Sequence, residues 1–338
     1  MRFSFLRGGG ISGGGLIPTF QWAITAIGER GGGMGLAADT RVRCQRGRGK
    51  KDVVVVIMGA TGTGKSKLSI DVAERFSGEV VNADKIQVYR GLDVTTNKMP
   101  IPDRRGVPHH LLGALDPAAG ELPAAGFRSL ASDAVEAITT RGKIPVIAGG
   151  SNSYIHAMMV NGYDPRIDPF AGAPAGRHRL RYRSCLLWVD VEAAVLEKHL
   201  DRRVDEMVGL GMVEELEKYF ARGDGDRHPG LGKAIGVPEF TEYFRRRTAS
   251  AYEDAIMAIK ENTRRLAEEQ VRKIKRLGEM GWPLQRVDAT ATVAARLAGD
   301  GSAAQAAAWE RDVLCPSLRA VERFLEDRLD ASAATQVI

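Results

Sequence analysis

The sequence predicts an α/β protein, a parallel sheet flanked by helices, with a helical subdomain inserted before the last strand. Three observations predict it. Residues 53–58 (VVVVIM) form an uninterrupted apolar, mostly β-branched run, as suits a strand buried on both faces of a parallel sheet. Strand-like and helix-like segments then alternate as far as residue 191. From residue 192 amphipathic helical stretches take over, with no convincing strand before about 285.

The elements follow in order. The helix expected over 65–76 carries Leu68, Val72, Ala73 and Phe76 on one face. A short strand at 79–81 ends in Asn82-Ala83-Asp84. A helix over 127–140 leads to a second buried strand at 143–148 (KIPVIA), closed by Gly149-Gly150. CLLWVDV at 185–191 is a further strand. Helices are expected at 192–208, 211–222 and 252–278, the last striped by Ile256, Ile259, Leu266 and Val271. A strand at 285–287 returns to the sheet, and helices at 303–311 and 316–328 close the chain. The expected organisation is therefore a core over 51–191, a helical subdomain over 192–284, a return to the core over 285–328 and a loose tail over 329–338.

Residues 1–50 stand apart. They hold 13 of the 39 glycines, with GGG at 8–10, 13–15 and 31–33, and show no apolar periodicity. Such a segment cannot bury enough apolar surface to offset chain entropy, so disorder is expected there. Charge separates at nearly the same place. The chain carries a net +6, yet residues 1–51 hold nine basic and two acidic side chains, and the rest hold 39 and 40. The near-neutral body argues against a grip on a nucleic-acid backbone. The basic, acid-poor start fits an organelle transit peptide, with an unstructured tail or a start at Met34 as alternatives. No run reaches 18 consecutive apolar residues, so no membrane-spanning helix is expected. Cys44, Cys185 and Cys315 form neither a zinc-ligand pattern nor a disulfide framework, which points to a reducing compartment. The sequence indicates no obligate protein partner.

Gly59-Ala60-Thr61-Gly62-Thr63-Gly64-Lys65-Ser66 fits G-x-x-x-x-G-K-[ST] and stands between a buried strand and a helix, where such a loop works. Its glycines let consecutive N–H groups face one anion, and the helix N-terminus adds partial positive charge. Lys65 adds a full charge, and Ser66 adds a hydroxyl ligand for Mg²⁺. The core is thus P-loop NTPase-like and should hold a diphosphate or polyphosphate. The loop does not say what is transferred, since kinases, ATPases, GTPases and some alkyl transferases share it. The strand at 143–148 runs into Gly149-Gly150-Ser151 instead of an acid, which weakens the case for a hydrolase.

Asp84 follows the second strand, and loops at the carboxyl ends of neighbouring parallel strands converge on one crevice. A carboxylate beside a diphosphate can be a metal ligand, a general base or a structural cap. His109-His110, beside Pro108, reads as a turn in preference to a metal site. RHRLRYR at 177–183 reads as a solvated loop, a strand entry or an arginine contacting substrate phosphate in preference to a nucleic-acid patch.

GATGTGKS at 59–66, NADKIQVYRGLDVTTNK at 82–98, VPHHLLG at 107–113 and VIAGGSNSYI at 146–155 occur in a telling order. Together they resemble the isopentenyl (dimethylallyl) transferases, which alkylate N6 of adenine in transfer RNA or in free nucleotides. The resemblance runs over about residues 52–290. Asn82, Lys85-Ile86, GGSNSYI, RVDEMVGLGMVEEL at 203–216 and HPGLGKAIGVPEF at 228–240 most resemble the plant adenylate isopentenyltransferases that begin cytokinin synthesis. The resemblance implies a dimethylallyl diphosphate donor and an ADP, ATP or AMP acceptor. It gives Asp84 the role of general base and makes the loop, with Mg²⁺ on Ser66, the holder of a pyrophosphate leaving group. It also implies that Thr96 and Lys98 reach the diphosphate, that Gly149, Gly150, Ser151 and Ser153 line the crevice, and that Lys233 meets the outer phosphates of the nucleotide. A plastid location goes with it, or the cytoplasm if the extension is no transit peptide. The alternatives are a transfer-RNA dimethylallyltransferase, a small-molecule kinase and a non-catalytic nucleotide-binding module. Against the transfer-RNA reading, no Cys/His zinc pattern follows residue 290, and GGSNSYI differs from the GGTGLY-type wording of those enzymes.

Overall fold

The computed structural model describes residues 52–172, 179–223 and 227–333. Everything expected of residues 1–50 lies outside the described residues. Six parallel strands form one sheet: β1 (Val53–Gly59), β2 (Gly78–Asn82), β3 (His109–His110), β4 (Ile144–Gly149), β5 (Arg183–Asp190) and β6 (Leu284–Asp288). Their order is β3-β2-β4-β1-β5-β6. β1 lies inside the sheet, as its unbroken apolar run demands. Val54, Val55, Val56, Ile57 and Met58 are all fully buried, and each contributes about 1.5–3 kcal/mol by leaving water.

The two faces of the sheet carry two cores. Val54, Val56 and Met58 pack with Val81, Ile147 and Leu186 on one face. Val55 and Ile57 pack with Val80, Val146 and Leu187 on the other. This is the period-two alternation of a strand expressed across four neighbours.

α1 (Lys65–Arg75) follows β1, α2 (Ala124–Thr140) precedes β4, and α3 (Asn152–Met159) follows it. Between β5 and β6 come α4 (Ala193–Gly209), α5 (Met212–Ala221), α6 (Val237–Arg246) and α7 (Ala249–Glu279). They form the inserted helical block, and Val204, Leu216, Phe240 and Ile259 join the first core, with Phe127 of α2 and Tyr154 of α3. α7 has 31 residues, about 46 Å at 1.5 Å per residue, and the Thr248 hydroxyl caps it by accepting from the Ala251 amide at 3.3 Å. After β6, α8 (Thr290–Ala298), α9 (Gly301–Trp309) and α10 (Cys315–Ala333) follow, with a π-turn over Glu310–Leu314. Trp309, Val313 and Val321 from this region complete the second core with Leu68 and Val72 of α1.

The structure adds detail at three places. His109-His110 forms the edge strand β3 instead of a turn: His110 Nε2 lies 2.6 Å from Glu79 Oε2 and His109 Nδ1 lies 2.8 Å from the Val107 carbonyl. Backbone pairing with β2 makes so short a strand, the Val80 amide donating to the Pro108 carbonyl at 2.9 Å, and two residues show no periodicity. α6 ends at Arg246, where the Arg245–Arg247 cluster reads in sequence as a helix C-terminus, and it starts at a turn in which Gly236 takes φ 114° and its amide donates to Glu239 Oε2 at 2.6 Å. α10 runs to Ala333, past residue 329 where a tail was expected, in an Ala-containing stretch with good helix propensity.

Candidate functional site

Loops leaving β1, β2 and β4 meet at one end of the sheet, and the helical block supplies the fourth wall. The loop at 59–66 is shaped by left-handed glycines at Gly62 (φ 83°) and Gly64 (φ 92°). Gly59 is required for a different reason: a Cβ there would lie 2.4 Å from the Val189 carbonyl oxygen. Thr63 Oγ1 donates to the Ala60 carbonyl at 2.9 Å and pins the turn. Lys65 Nζ folds back onto the same carbonyl. Burial pushes the Lys65 ammonium down to about 8, with Arg203 acting in the same direction and Asp84 opposing.

Arg203, on α4, is the principal residue that sequence reasoning missed. Its Nη1 donates to Thr61 Oγ1 at 3.1 Å, and it makes no carboxylate ion pair among the described residues. Burial pushes it down to about 10, with nearby Arg296 adding to the effect and Asp84 and Glu206 opposing it. Two cations beside one loop are costly without an anion between them. The arrangement therefore fits a bound diphosphate.

Asp84 faces the same place. Its Oδ1 accepts from the amides of Ile86 at 2.9 Å and Gln87 at 3.2 Å. This is the structural cap considered above, but it uses one oxygen; Oδ2 has no partner among the described residues. A cavity of about 220 Å³ opens between Asp84, Thr61 and Arg203, with apolar walls that include Val204, Met207 and Ile259. Carboxylate, cations and an apolar lining thus share one space. A proton acceptor, an anion and an oily tail could meet there.

The other residues expected at the site divide. Thr96 lines the cavity, although its hydroxyl donates to the Leu92 carbonyl at 2.7 Å. Lys98 does not line it. Its buried ammonium is bound to the Gly91 carbonyl and to Asp93 Oδ1 at 2.9 Å. Glu215 of α5 clamps this loop by accepting from the Thr95 amide and hydroxyl, each at 2.7 Å, and from the Val94 amide at 3.1 Å. Lys233 reaches the cavity and pairs with Glu121, which also pairs with Lys85 at 2.6 Å. Those two ammonium groups hold the Glu121 carboxyl down near 2.

The Gly149-Gly150-Ser151 corner is built for close approach. A Cβ on Gly149 would meet the Ala83 carbonyl oxygen at 2.2 Å, and one on Gly150 would meet Gln270 Nε2 at 2.3 Å. Ser151 Oγ accepts from the Lys85 amide at 2.8 Å, which fixes the residue beside Asp84. Ser153 lies half-buried in the first turn of α3. Gln270 of α7, 7% exposed, was also missed; it accepts the Thr61 amide at 2.7 Å and its own carbonyl accepts from Asn152 Nδ2 at 3.1 Å. One glutamine therefore ties the phosphate loop to the β4 corner. Only its position in the folded chain reveals that role, since in sequence it sits among the charged residues of a long helix.

Of the arginine stretch at 177–183, Arg181 donates to Ser132 Oγ and the Met158 carbonyl, and Arg183 to the Phe324 carbonyl. Arg177 lies outside the described residues. The Ser66 hydroxyl, in the first turn of α1, makes no hydrogen bond among the described residues. It offers a hard oxygen donor. Mg²⁺ takes few protein ligands and fills its octahedron with water and phosphate oxygens, so Ser66 fits it. No described helix is long and apolar enough to cross a membrane.

Comparison with known proteins gives a consistent result. The family model described as IPP transferase matches residues 87–173 and 166–276. Adenylate isopentenyltransferase 1, chloroplastic, of Arabidopsis thaliana is 47% identical over 306 residues, covering 86% of each chain. Adenylate isopentenyltransferase of Humulus lupulus is 48% identical over 295 residues, covering 80% of this chain and 90% of that one. Among solved structures, a eukaryotic dimethylallyltransferase acting on tRNA superposes with TM-score 0.69 at 24% identity, covering 82% of this chain and 80% of that one. That likeness speaks for the fold alone.

Proposed function

The chain belongs to the IPP transferase family, and from that premise we propose that it transfers a dimethylallyl group from dimethylallyl diphosphate to N6 of a free adenine nucleotide. Pyrophosphate leaves, and the product opens cytokinin synthesis. The observation that carries the reading is Asp84, with one carboxylate oxygen unpartnered among the described residues, lining the same cavity as Thr61 and Arg203.

The chemistry follows from that placement. The adenine amine is a poor nucleophile because its lone pair is delocalised into the ring. As N6 forms its bond to the allylic C1, the C1–O bond to the diphosphate breaks and the N6 proton passes to Asp84 Oδ2. The oxygen being released gains charge, and Lys65 and Arg203, which have no carboxylate partner among the described residues, would neutralise it. Both cations gain an anion where burial had left them short of one, so they hold the leaving group most tightly as its charge grows. The walls formed by Val204, Met207 and Ile259 suit the prenyl tail and keep water from the allylic cation. Ser66 would hold Mg²⁺ against the diphosphate oxygens; when bound, the ion supplies further charge neutralisation there. Lys233, which lines the cavity and pairs with Glu121, would meet the outer phosphates of ADP or ATP.

The N-terminal extension fits a transit peptide, and relatives at 47% and 48% identity carry chloroplastic names, while one at 42% is named mitochondrial. A plastid is the proposed location.

The test is direct. The protein is incubated with Mg²⁺, dimethylallyl diphosphate and AMP, ADP, ATP or an unmodified transfer RNA, and N6-prenyl product is sought by mass. Product is expected with ADP and ATP. Asp84→Asn should keep pyrophosphate binding and lose about 10²–10⁴-fold in turnover. Product on transfer RNA alone, or full activity in Asp84→Asn, would overturn the reading.

A further inference from the structure

Gln270 of α7 is more than nine-tenths buried, yet the protein uses only one end of its side-chain amide. Oε1 accepts from the Thr61 amide of the phosphate loop at 2.7 Å. A backbone N–H can only donate, so this contact fixes which end of the side chain is oxygen and which is nitrogen. Nε2 then points away from the loop. It sits against Gly150, where a Cβ would collide with it. It donates to nothing among the described residues. Nor is it one of the polar atoms that the fold seals in without a partner, as Asn152 Oδ1 and Ser317 Oγ are, so a ligand can reach it. An unused donor on a buried amide costs about 1–3 kcal/mol until something supplies an acceptor.

The position of Nε2 says which acceptor. The residues on either side of Gly150 are pinned to the residues on either side of Asp84. A Cβ on Gly149 would strike the Ala83 carbonyl, the Ser151 amide donates to that same carbonyl at 3.2 Å, and Ser151 Oγ accepts from the Lys85 amide at 2.8 Å. Asp84 and Gln270 therefore approach one corner, an acceptor from the end of β2 and a donor from α7. Arg203 lies at the other end of the glutamine amide, bound to Thr61 Oγ1. The donor is thus turned away from the diphosphate end of the site and toward the base. Adenine carries the complement of this pair: its 6-amino group donates, and the ring nitrogens on either side of it, N1 and N7, accept. Guanine has an acceptor at position 6, which would face the Asp84 carboxylate.

We propose that Gln270 reads the acceptor base, Nε2 donating to a ring nitrogen beside the amine while Asp84 accepts from the amine itself. The inference rests on the reading that this site alkylates N6 of adenine. It gives one planar amide two tasks. The oxygen end holds the phosphate loop and the nitrogen end holds the base, so the amine is presented at a fixed distance from the diphosphate that leaves.

Binding tests this better than turnover, because changing a ring nitrogen also changes the nucleophilicity of the amine. The full chain is titrated calorimetrically with ADP, 1-deaza-ADP and 7-deaza-ADP, in which C–H replaces one or the other ring nitrogen. One analogue is expected to bind about tenfold more weakly than ADP, and its identity gives the edge that is read. Gln270→Met should bind ADP and that analogue equally, since the contact is gone from both. Gln270→Glu can still accept from the Thr61 amide and so keeps the loop in place, and its added charge acts on all three nucleotides alike. It too should lose the discrimination. A merely structural glutamine would weaken all three ligands together and leave their ratio intact. Two analogues that bind as ADP does, or a preference for ADP that survives either substitution, would overturn the proposal. Failure of the unaltered protein to prenylate ADP would instead remove the reading beneath it.

Discussion

Two loops of this molecule look alike in sequence and differ in what their folds leave unused. GATGTGKS at 59–66 and the DVTTNK stretch at 93–98 both bring threonines and a lysine to the site end of the sheet. In the second, Glu215 consumes the Thr95 and Val94 amides, Thr96 bonds its own helical turn, and Lys98 is neutralised by Asp93 and the Gly91 carbonyl. In the first, Lys65 has only a carbonyl and Arg203 only a hydroxyl, and both carry depressed proton affinities. The lesson is about capacity: a polar side chain serves a ligand when the fold withholds its partners. Motif membership alone does not distinguish Lys65 from Lys98.

The contrast can be broken by substitution. Arg203→Ala removes a cation that no carboxylate balances, and pyrophosphate binding should weaken about 10–100-fold in calorimetry, with turnover falling at least as far. Retained affinity would mean that the cavity cation has a structural partner after all. The next effect is one of pH. Lys65 is charged in the free protein below about 8, and a bound diphosphate raises its affinity for the proton. Relative to Lys65→Arg, pyrophosphate affinity should therefore be constant below pH 8 and fall as pH rises above it, with proton uptake on binding in that range. Lys65→Arg, which stays charged, should remove the break from the binding curve. The smallest functional effect is expected at Lys98. Lys98→Met should cost about 1–3 kcal/mol in thermal or denaturant unfolding by freeing the Gly91 carbonyl, yet shift pyrophosphate affinity by less than about twofold. A large loss of affinity there would return Lys98 to the site.

Much of the architecture was legible because each signal was local. The VVVVIM run can be satisfied only inside a sheet, and the glycine spacing after it admits few backbone paths. Asp84 was legible too, since a strand end in a parallel sheet has one destination. The helical block was readable as helices from its apolar stripes, but its contribution to chemistry was not. Arg203, Glu215 and Gln270 occupy helices rich in Arg, Glu and Lys, where most charges face water. Gln270 differs from its neighbours Glu268 and Glu269 in accepting the Thr61 amide across 209 residues of chain. No periodicity encodes such a contact.

By itself the sequence determined the sheet-forming runs, the phosphate loop, the acid beside it and the separation of a basic extension from a near-neutral body. Those follow from hydrophobic period, glycine stereochemistry and charge counts, which act over a few residues at a time. The tertiary structure alone decided which cations stay unpaired, which lysine is consumed by its own loop, and that one glutamine spans the phosphate loop and the β4 corner. Those depend on where helices from the distant insertion come to rest, because satisfaction of a buried polar group is a property of its neighbours in space.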